Sequence, residues 1–159
     1  MTRMEFDHAV NELLQKADAI IPKHKAETLL PLQEMPNVRG WHLFEHELWE
    51  TGEQIRQIET KEKKRLNDEQ INRILKICEN ENAGRGRESF VMLLARKNYA
   101  SYGDRIIGLL SDADVNGQVI YTLYKMGDGR HADLIRPFAT EQRAWIRREA
   151  KRYIEKFDQ

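Results

Sequence analysis

Apolar residues recur along this chain at steps of three and four, the spacing of one helix face. Phe6, Val10, Leu13, Leu14, Ala17 and Ile21 form the first such stripe. Thr2-Arg3-Met4-Glu5 ahead of it fits a capping box, and Pro22 closes it. Three of the four prolines, Pro22, Pro31 and Pro36, fall between 22 and 40. That stretch reads as a connector holding one short helix near residues 26–30. The next helix runs from Val38 or Trp41 into the lysine cluster at 61–64. Trp41, Phe44, Leu48, Ile55 and Ile58 make its apolar stripe, with Thr51 filling the gap and Gly52 inside.

After Asn67 the pattern becomes regular. Asp68 is the expected cap of a helix through Ile71, Ile74, Leu75 and Cys78, and 79–86 reads as a turn. Phe90, Val91, Leu94 and Ala95 mark another helix. Ser101 is the expected cap of one through Ile106, Ile107, Leu109 and Leu110. Asp112 to Asp114 opens a helix with Val115, Val119, Leu123 and Met126, which Gly127 ends. Leu134, Ile135 and Phe138 follow. Thr140 is the expected cap of the last helix, which carries Trp145, Ile146, Ala150, Tyr153, Ile154 and Phe157. No segment alternates with a period of two, so the expected class is all-α.

These helices repeat. Ile106, Leu109 and Leu110 match Ile135, Phe138 and Ala139 at an offset of 29. Val115, Val119, Leu123 and Met126 match Ile146, Ala150, Ile154 and Phe157 at an offset of 31. An earlier pair, 68–79 and 87–98, follows the same plan. A period near 30 in helix–turn–helix units signals an α-solenoid. The unit running from Ala132-Asp133-Leu134-Ile135-Arg136-Pro137-Phe138 to Trp145-Ile146-Arg147-Arg148-Glu149-Ala150-Lys151-Arg152-Tyr153-Ile154 resembles a HEAT or HEAT-like repeat. The resemblance covers about 68–157. The middle unit departs from it, with Asn116 in place of the arginine and Gly117 after it. The resemblance implies a solenoid of about three helix pairs within a single domain, 1–159. Residues 1–66 would add an N-terminal helical layer, and 67–159 would hold the repeats.

Composition narrows the function. Charged residues make up 33% and hydrophobic ones 40%, and no apolar run approaches the ~20 residues of a membrane span. No apolar signal core follows the N-terminus, and the only cysteine, Cys78, lies in an apolar run, so the expected compartment is the cytoplasm. The net charge of zero hides an asymmetry. Within 41–60, Glu45, Glu47, Glu50, Glu53 and Glu59 face only Arg56. Such a segment suits a basic partner and repels nucleic acid.

Three clusters invite a chemical reading. His42 and His46 are spaced as two zinc ligands on one helix face would be, with Glu45, Glu50 or Glu53 as a third. Glutamate directly precedes the second histidine, so the H-E-x-x-H order is absent, and packed flanking residues are the expectation, with no metal or other cofactor. Arg85 and Arg87, in a glycine-rich turn before a helix, are candidate anion contacts. Arg143, Arg147 and Arg148, continued by Lys151 and Arg152, form the strongest basic run. It reads first as a solvated face paired with Glu149 and Glu155, and second as a nucleic-acid surface. Ser89, Ser101 and Ser111 read as cap or helix-end residues, not nucleophiles.

A non-enzymatic protein-binding role is therefore expected. The chain is similar in broad character to small helical bacterial immunity proteins, which neutralise a toxin by covering it. That similarity implies a basic partner, such as a nuclease toxin domain, and no membrane. The expected contact residues are Glu45, Glu47, Trp49, Glu50 and Glu53, with Tyr121 and Tyr124. A HEAT-like nucleic-acid-binding or repair protein and a scaffold are the alternatives.

Overall fold

The computed structural model describes residues 1–36 and 38–158. The fold is all-helical. Among the described residues no strand forms, and one isolated bridge pairs Pro31 with Arg39. No helix is long and apolar enough to cross a membrane. Contacts divide the chain into two compact units, Met1–Leu29 with Trp41–Leu93, and Leu30–Gly40 with Leu94–Gln159.

The first unit holds α1 (Arg3–Ile20), α2 (Leu43–Glu62), α3 (Asp68–Glu79), a 3₁₀ segment (Glu81–Arg87) and α4 (Glu88–Leu93). The capping box of α1 forms as the sequence predicts, with the Glu5 N–H donating to Thr2 Oγ1 at 3.1 Å. Residues 26–30 form no helix. Five residues ahead of Pro31 are too few to nucleate one, and the residue before a proline disfavours helical dihedrals. α3 is capped by Asn67, not Asp68. The Gln70 N–H donates to Asn67 Oδ1 at 2.8 Å, and the Gln70 side chain accepts from the Asn67 N–H at 2.9 Å.

α2 is the central helix of this unit, packed against α1, the 3₁₀ segment and α4. Its buried face is Glu45, Leu48, Thr51, Gly52, Ile55 and Glu59. This stripe is rotated from the expected one. Trp41, Phe44 and Ile58 lie half-buried on its flanks. Gly52 marks the closest approach, because a Cβ there would meet Ser89 and the Phe90 ring. Ser89 Oγ uses that proximity to donate to the Trp49 carbonyl at 2.8 Å. Phe6, Val10, Leu14, Ile71, Ile74, Leu75, Cys78 and Phe90 complete the core.

The second unit holds a 3₁₀ segment (Lys97–Tyr102), α5 (Gly103–Ile106), α6 (Asn116–Met126), α7 (Ala132–Ile135) and α8 (Ala144–Phe157). The helices expected over 101–110 and 134–139 are short and run into 3₁₀ turns, Ile107–Leu109 and Arg136–Thr140. Gly103 and Gly108 weaken the first, and Pro137 removes a donor from the second. Ser101 and Thr140 cap nothing. Thr140 Oγ1 donates back to the Pro137 carbonyl, and Arg143 precedes α8.

α6 and α8 lie side by side and run the same way. Trp145, at the start of α8, packs on Gly117, at the start of α6. Phe157 meets Tyr124 at their far ends, with ring centroids 6.2 Å apart. Gly117, which broke the repeat pattern, leaves the space that the Trp145 ring fills. Asn116, also off-pattern, is buried and accepts from Arg143 Nη2 at 3.1 Å. Val115, Val119, Ile146 and Ala150 have no exposure, while Ile154 and Phe157 are half-buried.

A buried carboxylate closes the end of α6. Asp128 accepts from Arg130 Nε at 2.8 Å and lies 3.2 Å from His131 Nε2. The Tyr153 hydroxyl donates to the Asp128 carbonyl at 2.6 Å and accepts the His131 N–H at 3.1 Å. The hydrogen bond from Arg130 holds the Asp128 carboxyl below the usual carboxylate range against the opposing effect of burial, and burial pushes the Tyr153 phenol up.

Two predictions follow from this packing. Gly52→Ala lowers unfolding free energy by about 1–3 kcal/mol in urea melts, although alanine is the better helix former by about 1 kcal/mol. Adding Ser89→Ala recovers part of that loss. Asp128→Asn costs about 1–3 kcal/mol near pH 7, the cost of mismatched buried donors and acceptors. Because the folded carboxyl is depressed, the unfolded chain binds the proton more readily. The cluster's contribution is complete above about pH 4 and fades as pH falls through the folded value. The gap between wild type and Asp128→Asn should therefore narrow in melts near pH 3.

Candidate functional site

The outer face of α2 is the first candidate surface. Leu43, His46, Glu47, Trp49, Glu50 and Gln54 are exposed, Leu43 at 75% and Trp49 at 37%. Leu43, Glu47, Glu50 and Gln54 step along one line of the helix, and His46, Trp49, Glu53 and Arg56 along the next. Glu47 and Glu50 are exposed carboxylates on a helix whose opposite side is fully packed. Glu53 is half-buried and pairs with Arg56 at 2.9 Å, so its charge is largely answered within the helix.

Glu45 does not belong to that surface, contrary to the expectation. It has no solvent exposure. One carboxylate oxygen accepts the His42 N–H at 2.8 Å and the other accepts the Arg85 N–H at 2.6 Å. The residue sits on the buried side because α2 is rotated to bring Leu48 and Gly52 against the 3₁₀ segment and α4. Its role is to tie the start of α2 to that segment.

The two histidines separate. His42 is the residue before α2, with its Nε2 2.7 Å from the Glu27 carbonyl and its ring stacked on Phe44. His46 lies inside the helix and stacks on Trp41, centroids 4.9 Å apart. The Arg85 guanidinium covers the Trp41 ring at 4.4 Å. Among the described residues, no group of three or more His, Cys, Asp or Glu side chains is arranged to hold a metal ion. The stretch 41–50 is thus an aromatic stack at one end of an acidic face.

The basic residues divide in the same way. Arg87 is buried, donating from Nε to the Gly84 carbonyl at 2.6 Å and from Nη1 to the Cys78 carbonyl at 3.2 Å. It is not an anion contact on the surface. Arg85 is engaged with Trp41 and lies 3.6 Å from Glu88. Arg143 bonds Glu141, the Ala113 carbonyl and Asn116, and Arg147 donates to the Glu141 carbonyl at 2.7 Å. Both brace the turn before α8. Of the three arginines expected in this run, Arg148 alone is exposed.

Tyr121 and Tyr124 lie in the second unit, on α6, and meet α8. The Arg152 guanidinium stands 4.2 Å from the Tyr124 centroid and Lys156 Nζ 4.5 Å from it, while Lys125 Nζ is 5.7 Å from Tyr121. The repeat offset of 31 contains this neighbour relation, since it sets Tyr121 beside Arg152. The tyrosines, expected as contact residues together with the acids of α2, are instead neighbours of cations on α8.

No known protein family, curated protein or solved structure matches this chain.

Glu45→Ala should cost about 2–4 kcal/mol in urea melts, because two half-buried backbone donors lose their charged acceptor. Glu47→Ala and Glu50→Ala should change stability by no more than about 0.5 kcal/mol, as exposed substitutions do.

Proposed function

We propose that this chain is a non-enzymatic protein-binding protein built on HEAT-like helix pairs, and that it neutralises a basic toxin domain by direct contact. The reading includes a cytoplasmic location and no cofactor. One observation carries it: exposed Glu47 and Glu50 lie beside exposed Trp49 and Leu43 on a helix locked by its buried side. Aromatic anchors among complementary charges are the composition of a binding hot spot. A rigid helix face also loses little conformational entropy on binding. The HEAT-like component is supported by the parallel pairing of α6 with α8 and by the 31-residue register of their buried residues. The first unit carries sixteen acids and thirteen bases, so a basic partner meets favourable charge there.

The partner to test is the domain encoded by the reading frame next to this gene. Titration calorimetry with that domain should give a stoichiometric complex. Glu47→Lys with Glu50→Lys should weaken it about tenfold or more, and Trp49→Ala by about 2 kcal/mol or more. Melting curves of the variants should match wild type. Unchanged affinity in the double charge reversal would sink the reading.

A further inference from the structure

The face formed by α6 and α8 in the second unit has the opposite character to α2. α8 contributes Arg147, Arg148, Lys151, Arg152 and Lys156 against Glu149 and Glu155, and α6 adds Lys125 as its only charged residue. The whole unit carries thirteen bases and ten acids. Arg148, Lys151 and Lys156 are exposed. Arg148, Arg152 and Lys156 are each four residues apart, so they form one row along the helix, with Lys151 beside it.

A solvated helix face pairs its cations with acids one turn away. This face has one such pair, Arg152 with Glu149, and in addition seats its cations on aromatic rings. Arg152 and Lys156 are both held on the Tyr124 ring, and Lys156 also lies 5.1 Å from the Phe157 centroid. Arg152 Nη2 is 2.9 Å from Glu149 Oε2, and its Nε and Nη2 are buried beside the Tyr124 ring. The tyrosines therefore hold the Arg152 and Lys156 cations in fixed positions. At the N-terminal end of the row lies a cleft of about 400 Å³. Arg148 and Trp145 line it on one side, with Met35 and Val38 opposite. That is an apolar recess containing an aromatic side chain, opening beside the first cation of the row.

We propose that the α6–α8 face binds single-stranded nucleic acid. The row Arg148–Arg152–Lys156, with Lys151, takes successive phosphates, and the Trp145 cleft takes a base. Fixed cations beside aromatic side chains and a recess are the elements of a sequence-tolerant strand site. Every nucleotide pairs a negative charge with a flat ring, so a strand engages the cation row and the recess together whatever its sequence, which is why a nucleic acid is favoured. This surface shares no residue with the acidic α2 face.

The test is fluorescence anisotropy with labelled oligo-dT and oligo-rU of about 12 nucleotides, in about 50 mM salt and then in rising salt. Wild type should bind, with affinity falling steeply as salt rises. Arg148→Ala, Lys151→Ala and Lys156→Ala combined should weaken binding about tenfold or more and flatten the salt dependence. Circular dichroism should show the triple variant folded, because all three side chains are exposed. The Glu47→Lys/Glu50→Lys protein should bind the oligonucleotides at least as well as wild type, so the two surfaces can fail separately. Absence of wild-type binding to either oligonucleotide overturns the proposal, as does unchanged binding by the triple variant. Displacement by poly-glutamate as effective as by unlabelled oligonucleotide also overturns it, and would make the face a site for acidic protein.

Discussion

The Glu45 carboxylate lies out of contact with water and accepts two backbone N–H groups, from His42 and from Arg85. Those bonds fix the start of α2 against the 3₁₀ segment that precedes α4. With that end fixed, the rotation of α2 is set by Gly52, whose missing side chain lets the helix approach Ser89 and Phe90. Everything exposed on α2 follows from that rotation. Glu47, Trp49 and Glu50 face solvent because Glu45, Leu48 and Gly52 cannot. One buried acid thus orients the exposed ones.

The second unit uses rings where the first uses a carboxylate. Trp145 fills the space over Gly117, and Tyr124 meets Phe157 at the other end of the pair. Between them, cations from α8 rest on tyrosines from α6. The turn after α6 is locked by Asp128 with Arg130, His131 and Tyr153. The zero net charge of the chain is therefore the sum of an acidic unit and a basic one. Averaged over the sequence, that division disappears.

Much of the architecture was legible from local rules. The Thr2–Glu5 capping box, the stop at Pro22 and the Gly127 helix end all depend on residues adjacent in sequence. The all-α class follows from periodicity. Cap positions were missed by one residue at Asn67 and more widely at Thr140, where a neighbouring polar side chain satisfied the same rule on paper. The broken helices at 103–109 and 132–140 were hidden because their apolar spacing is helical while their glycines and Pro137 favour tighter turns. The burial of Glu45 and Arg87 was not legible at all. A charged residue goes inside only when partners distant in sequence satisfy it, and here those partners are backbone groups that carry no residue-type signal.

Cys78 is the chain's one thiol, and it is sealed beneath the core side chains of the first unit, with its own carbonyl accepting from the buried Arg87. Its chemistry is therefore a clock for the opening of that unit. A thiol reagent reaches it only when the α3 layer lifts, so the labelling rate reads the frequency of that excursion. The same seal leaves any cysteine introduced on the outer faces as the sole fast-reacting position. A single attached dye could then follow either surface without disturbing the native thiol.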